Sequence, residues 1–187
     1  MRRKGFFAAL LVGVAALAVA AFALAGRTGI GFKHVSGNLT GYQEVPAVST
    51  GASARFTAEV NKDGDAINWE LTYSGLEGTA QQSHIHFGNV GVNGGISVFL
   101  CTNLGNGPAG TQACPQSGTI SGTITAADVS PNIPATAAAR TQGINTGEFE
   151  ELARAIDANS AYANVHSTTW PGGEIRAQLQ TNGGGDD

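Results

Sequence analysis

The chain has 187 residues, and its formal charge of −4 rests on ten basic and fourteen acidic side chains. Three of the basic ones, Arg2, Arg3 and Lys4, crowd the N-terminus; without them seven basic face fourteen acidic side chains, a net charge near −7. That balance argues against nucleic acid or an anionic membrane surface as partner. Sparse charge with abundant Gly, Ala, Thr, Ser and Asn suits a compact β-protein.

An apolar run over residues 6–25 follows the basic start. Ala23 and Ala25 precede Gly26 in the A-x-A pattern of signal peptidase sites. Residues 1–25 are therefore expected to be a signal peptide, and the protein to be exported to an extracellular, periplasmic or cell-surface location. The run is also long enough to span a bilayer, so an uncleaved anchor is the alternative, and the membrane would then be met only through these residues. Arg27, not Cys, follows Leu24-Ala25-Gly26, so no lipid anchor is expected. Beyond it, residues 26–34 read as a flexible lead-in, 35–180 as one domain and 181–187 as a disordered tail.

Residues 35–40 read as a weak first strand, and Pro46 makes the following segment an edge or a loop. Ala52, Ala54, Phe56, Ala58 and Val60 alternate with polar residues, as do Ile67, Trp69, Leu71 and Tyr73. Between them Asp63-Gly64 marks a hairpin turn. Asn61-x-Asp63-Gly64-Asp65 resembles a calcium loop, but Thr72 stands where such a loop needs its bidentate Glu, and the turn reading is preferred. Further strands are expected over 83–87, 96–101, 118–125 and 173–180. Gly122 leaves room for a close neighbour, and Glu174, Arg176 and Gln178 share the face opposite Ile175, Ala177 and Leu179. Many short strands with Gly/Pro/Asn turns imply an antiparallel sandwich or barrel. One helix is expected where Phe149, Leu152, Ala153 and Ile156 recur at helical spacing, with Asn145 and Glu148 as a capping box; residues 126–141 read as an irregular connection. The expected fold is all-β, an antiparallel Greek-key β-sandwich with one short helix. The two cysteines, Cys101 and Cys114, form an even pair in an exported chain and are expected to form a disulfide.

Chemistry concentrates in the histidines. His84 and His86 stand at i and i+2 and so share one strand face, opposite Ile85. Tyr162, Asn164 and His166 share one face of a later strand. If the two strands are neighbours, three imidazoles converge as ligands for Zn²⁺ or Cu²⁺. Such a set needs a fourth ligand or a water, and acceptors for the other ring nitrogens; Glu44, Glu174 and Asn164 are the candidates. The competing reading is a polar cluster without metal. His34 lies near the start of the chain, apart from these strands. Glu174 and Arg176 read as a surface ion pair, worth little; were Arg176 to lie beneath the histidines, it would oppose a bound cation. There is no nucleophile elbow, phosphate loop or dinucleotide fingerprint, and no catalytic residue is assigned.

Three motifs together resemble a known family. They are Leu39-Thr40-Gly41-x-Gln43-Glu44-Val45-Pro46, Ser83-His84-Ile85-His86-x-Gly88, and Tyr162-x-Asn164-Val165-His166-Ser167 followed by Pro171-Gly172-Gly173-Glu174-Ile175-Arg176-Ala177-Gln178-Leu179. In this order they resemble the CHRD domain, named for its repeats in the extracellular protein chordin. The resemblance implies a secreted β-sandwich domain, immunoglobulin-like or superoxide-dismutase-like. It points to a non-enzymatic binding or structural module whose partner is an extracellular protein or a small ligand. The His-x-His strand resembles more loosely the copper strand of copper/zinc superoxide dismutases, which makes a small metalloenzyme of reactive-oxygen chemistry the alternative. The chain lacks a fourth copper histidine in a comparable strand and a His-rich zinc loop.

Overall fold

The computed structural model describes residue 30 and residues 32–183; the expected signal peptide lies outside them. Nine strands form one antiparallel sheet: β1 (Phe32–Thr40), β2 (Ser53–Val60), β3 (Ile67–Ser74), β4 (Ala80–Phe87), β5 (Gly95–Thr102), β6 (Gly118–Ile124), β7 (Ala161–Ser167), β8 (Ile175–Gln178) and β9 (Gln180–Gly183). Neighbours run β5-β4-β7-β8-β1-β2-β3-β6, with β9 beside β1, and the sheet curls into a nearly closed barrel. The all-β, antiparallel expectation holds at that level, whereas the strands form one continuous sheet instead of the two separate sheets of a sandwich. Alternation dictates which side chains face inward in either architecture, so the period-two pattern does not distinguish them.

The hairpin between β2 and β3 has the expected turn. Asn61 Oδ1 accepts the Asp65 and Ala66 N–H groups, and its Nδ2 donates to Asp65 Oδ1. The Asn and Asp side chains are thus engaged in closing a turn. β3 alternates strictly between buried and exposed residues. A Cβ added to Gly122 would come within 2.9 Å of the Trp69 indole, its cross-strand partner, which accounts for the glycine in β6. Phe32, Val35, Leu39, Phe56, Leu71, Ile85, Leu100 and Ile175 are among the buried core residues.

The structure differs from the sequence reading in two boundaries and in the number of helices. β1 begins at Phe32, within the stretch expected to be a lead-in, because the Phe32 side chain enters the core. Residues 181–183, expected to be tail, belong to β9, which pairs with β1 from Phe32 to Ser36. Two helices are present instead of one: α1 (Ala137–Thr141) and α2 (Phe149–Asp157). The five-residue α1 is too short to show a helical period in sequence. In α2, Phe149, Leu152, Ala153 and Ile156 are all buried as expected, and the Asn145 N–H donates to Glu148 Oε2 just before its start. No helix among the described residues is long and apolar enough to cross a membrane.

Cys101 and Cys114 form a disulfide across 13 residues. The loop it closes carries Gln112, whose Nε2 donates to Leu100 O in β5 and to Ser121 O in β6. One side chain thereby bridges the seam where the barrel is not closed by strand pairing. Replacing both cysteines by alanine should cost about 3 kcal/mol, the loop-closure entropy returned to the unfolded chain. Urea unfolding of the variant beside the wild type measures it, and equal midpoints would contradict it.

Candidate metal centre

β4 pairs with β7, and β7 with β8, in a register that lays the polar residues of three strands in rows. His86 stands opposite Tyr162 and Tyr162 opposite Gln178; His84 stands opposite Asn164 and Asn164 opposite Arg176; Gln82 stands opposite His166. Ile85, Ala163 and Ala177 point the other way, into the core. The polar face is nevertheless not a surface. Every residue of β7 and β8 is buried. Residues 88–94 and the segment around Glu44 lie over it: Arg176 Nη2 donates to Asn89 O and Val92 O, Asn93 Nδ2 donates to Val45 O, and the Tyr162 hydroxyl accepts the Gly94 N–H.

Arg176 and Glu174 are therefore corrected from surface ion pair to buried groups with separate partners. Arg176 is 1% exposed, its guanidinium lies 3.4 Å above the Tyr162 ring, and its Nη1 donates to Asn93 Oδ1. Glu174 Oε1 accepts from Thr50 Oγ1 and from the Glu77 N–H. Gln178, read as outward-facing, is buried and donates to Gly88 O and Asn159 O.

The three histidines are brought together and buried, and one nitrogen from each ring lies within 4.8 Å of those of the other two. His86 Nδ1 faces Gly94 O and His166 Nδ1 faces Pro171 O, each at 3.0 Å. A carbonyl only accepts, so these Nδ1 atoms carry the protons and both Nε2 atoms present lone pairs. His84 Nδ1 lies 3.3 Å from His166 Nε2, and its own Nε2 is buried without a partner. Two ligands bound to one ion at 2.0–2.1 Å with tetrahedral angles stand about 3.3–3.4 Å apart. The His84–His166 separation matches that edge. The His84 ring packs edge-on against Phe99, and the His86 ring stacks on Tyr162 at 4.6 Å between centroids. Tyr162 thus packs against both an imidazole and a guanidinium.

Burial holds His86 and His166 down to about 4, and it also lowers His84 well below the ordinary imidazole value, with the other two rings adding to the effect. All three are neutral at pH 7 and need lose no proton to bind a metal. Glu44 lies against Gly173, where an added Cβ would collide with its carboxylate. Burial raises the Glu44 carboxyl to about 7, against the pull of Arg176, the Val45 N–H and the Asn164 amide, which favour the anion. Of the two carboxylates considered from sequence, Glu44 reaches the cluster through Asn164, whereas Glu174 is committed to Thr50 and Glu77. His34 lies on β1, exposed. The carbonyls of Gly94 and Pro171 have no sequence signal, because every residue carries one.

Comparison with curated proteins and with solved structures gave no match. The family model of the CHRD domain matches residues 35–179. That span runs from within β1 to just past β8 and contains the His-x-His strand, the Asn164-Val165-His166 strand and the Glu44 segment that covers them, and the chain belongs to the CHRD domain family.

Proposed function

We propose that this protein is an exported, non-enzymatic binding or structural module that holds one divalent transition metal ion, zinc or copper, through His84, His86 and His166. The observation that carries the reading is the convergence of three neutral imidazoles whose other nitrogens are, in two of three cases, already tied to backbone carbonyls. Burial of all three rings favours holding an ion over turning over a substrate. The disulfide suits an oxidising compartment, and the partner there would be an extracellular protein or a small ligand.

Purified mature protein, offered zinc or copper and then dialysed, should carry close to one ion per chain by elemental analysis. Less than about a tenth of an ion would sink the reading, since a built site binds stoichiometrically. At free metal about 100-fold above Kd, the ion should stabilise the fold by about 2.7 kcal/mol, and His84→Ala should abolish that gain.

The Tyr162 ring stacked on His86 favours one second reading, copper-dependent chemistry on a reactive oxygen species, because it sets an oxidisable phenol against a ligand ring. Copper-loaded protein would then consume superoxide faster than free copper at the same concentration. An equal or slower rate removes this reading.

A further inference from the structure

We propose that the side-chain oxygen of Asn164 is the fourth ligand of the ion held by His84, His86 and His166, making a closed site of three nitrogens and one oxygen. This rests on the metal reading above and adds a ligand that changes what the site can do.

Asn164 Oδ1 lies 3.1 Å from His86 Nε2 and 3.1 Å from His166 Nε2. Both nitrogens present lone pairs, because the Nδ1–H of each ring is donated to a carbonyl. Three acceptor atoms therefore face one another in a buried volume, with Asn164 2% exposed. Without a positive centre among them the arrangement is repulsive. Reversing the amide would relieve it by pointing Nδ2 at both rings. The surroundings oppose reversal: the Asn164 amide stands as a hydrogen-bond donor beside the Glu44 carboxyl, and a reversed group would turn Oδ1 toward it.

A cation relieves the repulsion without reversal. Three of the six separations that a four-ligand site would have, 3.1 Å, 3.1 Å and, between His84 Nδ1 and His166 Nε2, 3.3 Å, lie near the edge length of a tetrahedron around an ion with bonds of about 2.0–2.1 Å. With four protein ligands no position is left for water or substrate, which is the arrangement of a holding site and not of a catalytic one.

The test uses cobalt(II) as the probe ion in the full mature protein and follows its visible ligand-field spectrum during azide titration. Wild-type protein should bind one cobalt and show no azide-dependent change. Asn164→Ala should bind cobalt about 10–100-fold more weakly, and azide should then shift its spectrum. Asn164→Asp, which restores an oxygen, should be azide-insensitive again. One cobalt per wild-type chain together with an azide shift would overturn the Asn164 ligand while leaving the three-histidine site standing. So would an Asn164→Ala protein with wild-type affinity and spectrum. Absence of cobalt, zinc and copper binding by the wild type would overturn both readings. The wild-type azide titration decides the matter even if Asn164→Ala does not fold.

Discussion

Replacing Arg176 by alanine is expected to destabilise the protein by about 3–5 kcal/mol, the combined cost of stranding buried acceptors and leaving a cavity. The guanidinium is the bond between the sheet and residues 88–94: it donates to Asn93 Oδ1, Asn89 O and Val92 O and lies flat on Tyr162. Its loss leaves three acceptors without their donor and opens a space beside the ring. Arg176→Lys keeps a charge but cannot fork to three acceptors or stack as a plane, so an intermediate loss is expected. Urea unfolding measures both variants, and an alanine variant within 1 kcal/mol of wild type, taking about that value as the boundary of ordinary surface substitutions, would contradict the account. Because Gly94 O orients His86, loosening the 88–94 loop should also weaken metal binding, with all three histidines intact.

Acid should destabilise the metal-free protein steeply. His86 and His166 titrate near 4 in the folded chain and His84 is lowered as well, against 6.5 for an unperturbed imidazole. Between those values the unfolded chain binds protons that the folded chain refuses, so stability rises with pH. Glu44 acts in the opposite sense: raised from 4.5 to about 7, it keeps a proton in the folded state that the unfolded chain has released. Between 4.5 and 7 this one group makes stability fall as pH rises. Three imidazoles outweigh one carboxyl by about two protons near pH 5, which corresponds to roughly 2.5 kcal/mol per pH unit. On moving from pH 6.5 to about pH 5, stability should fall by about 3 kcal/mol. Urea midpoints at the two pH values, with chelator present, measure it. An unchanged midpoint would mean that the rings are not buried neutral as described.

Much of the candidate site is legible in the residues themselves. His84 and His86 share a face because strand side chains alternate, and so do Tyr162, Asn164 and His166. The β2–β3 hairpin follows from Asp63-Gly64 between alternating runs, and α2 from the spacing of Phe149, Leu152, Ala153 and Ile156. The pairing of Cys101 with Cys114 follows from there being no other cysteine. The misreading of Glu174 and Arg176 has a specific cause. Alternation assigns them correctly to the face opposite Ile175 and Ala177, but the step from "opposite the core" to "exposed" fails where loops cover that face.

What the sequence alone determines here is local: which residues alternate, where the chain turns, and which side chains share a face. These follow from backbone periodicity, which acts over a few residues. What only the tertiary structure decides is adjacency. That β4 lies beside β7, that nine strands make one curled sheet, and that residues 88–94 and Glu44 cover the histidines depend on contacts between distant segments. The tautomers of His86 and His166 are decided there too, by the carbonyls of Gly94 and Pro171. A backbone carbonyl is common to every residue, so its position, and with it the direction of each imidazole lone pair, exists only in the folded chain.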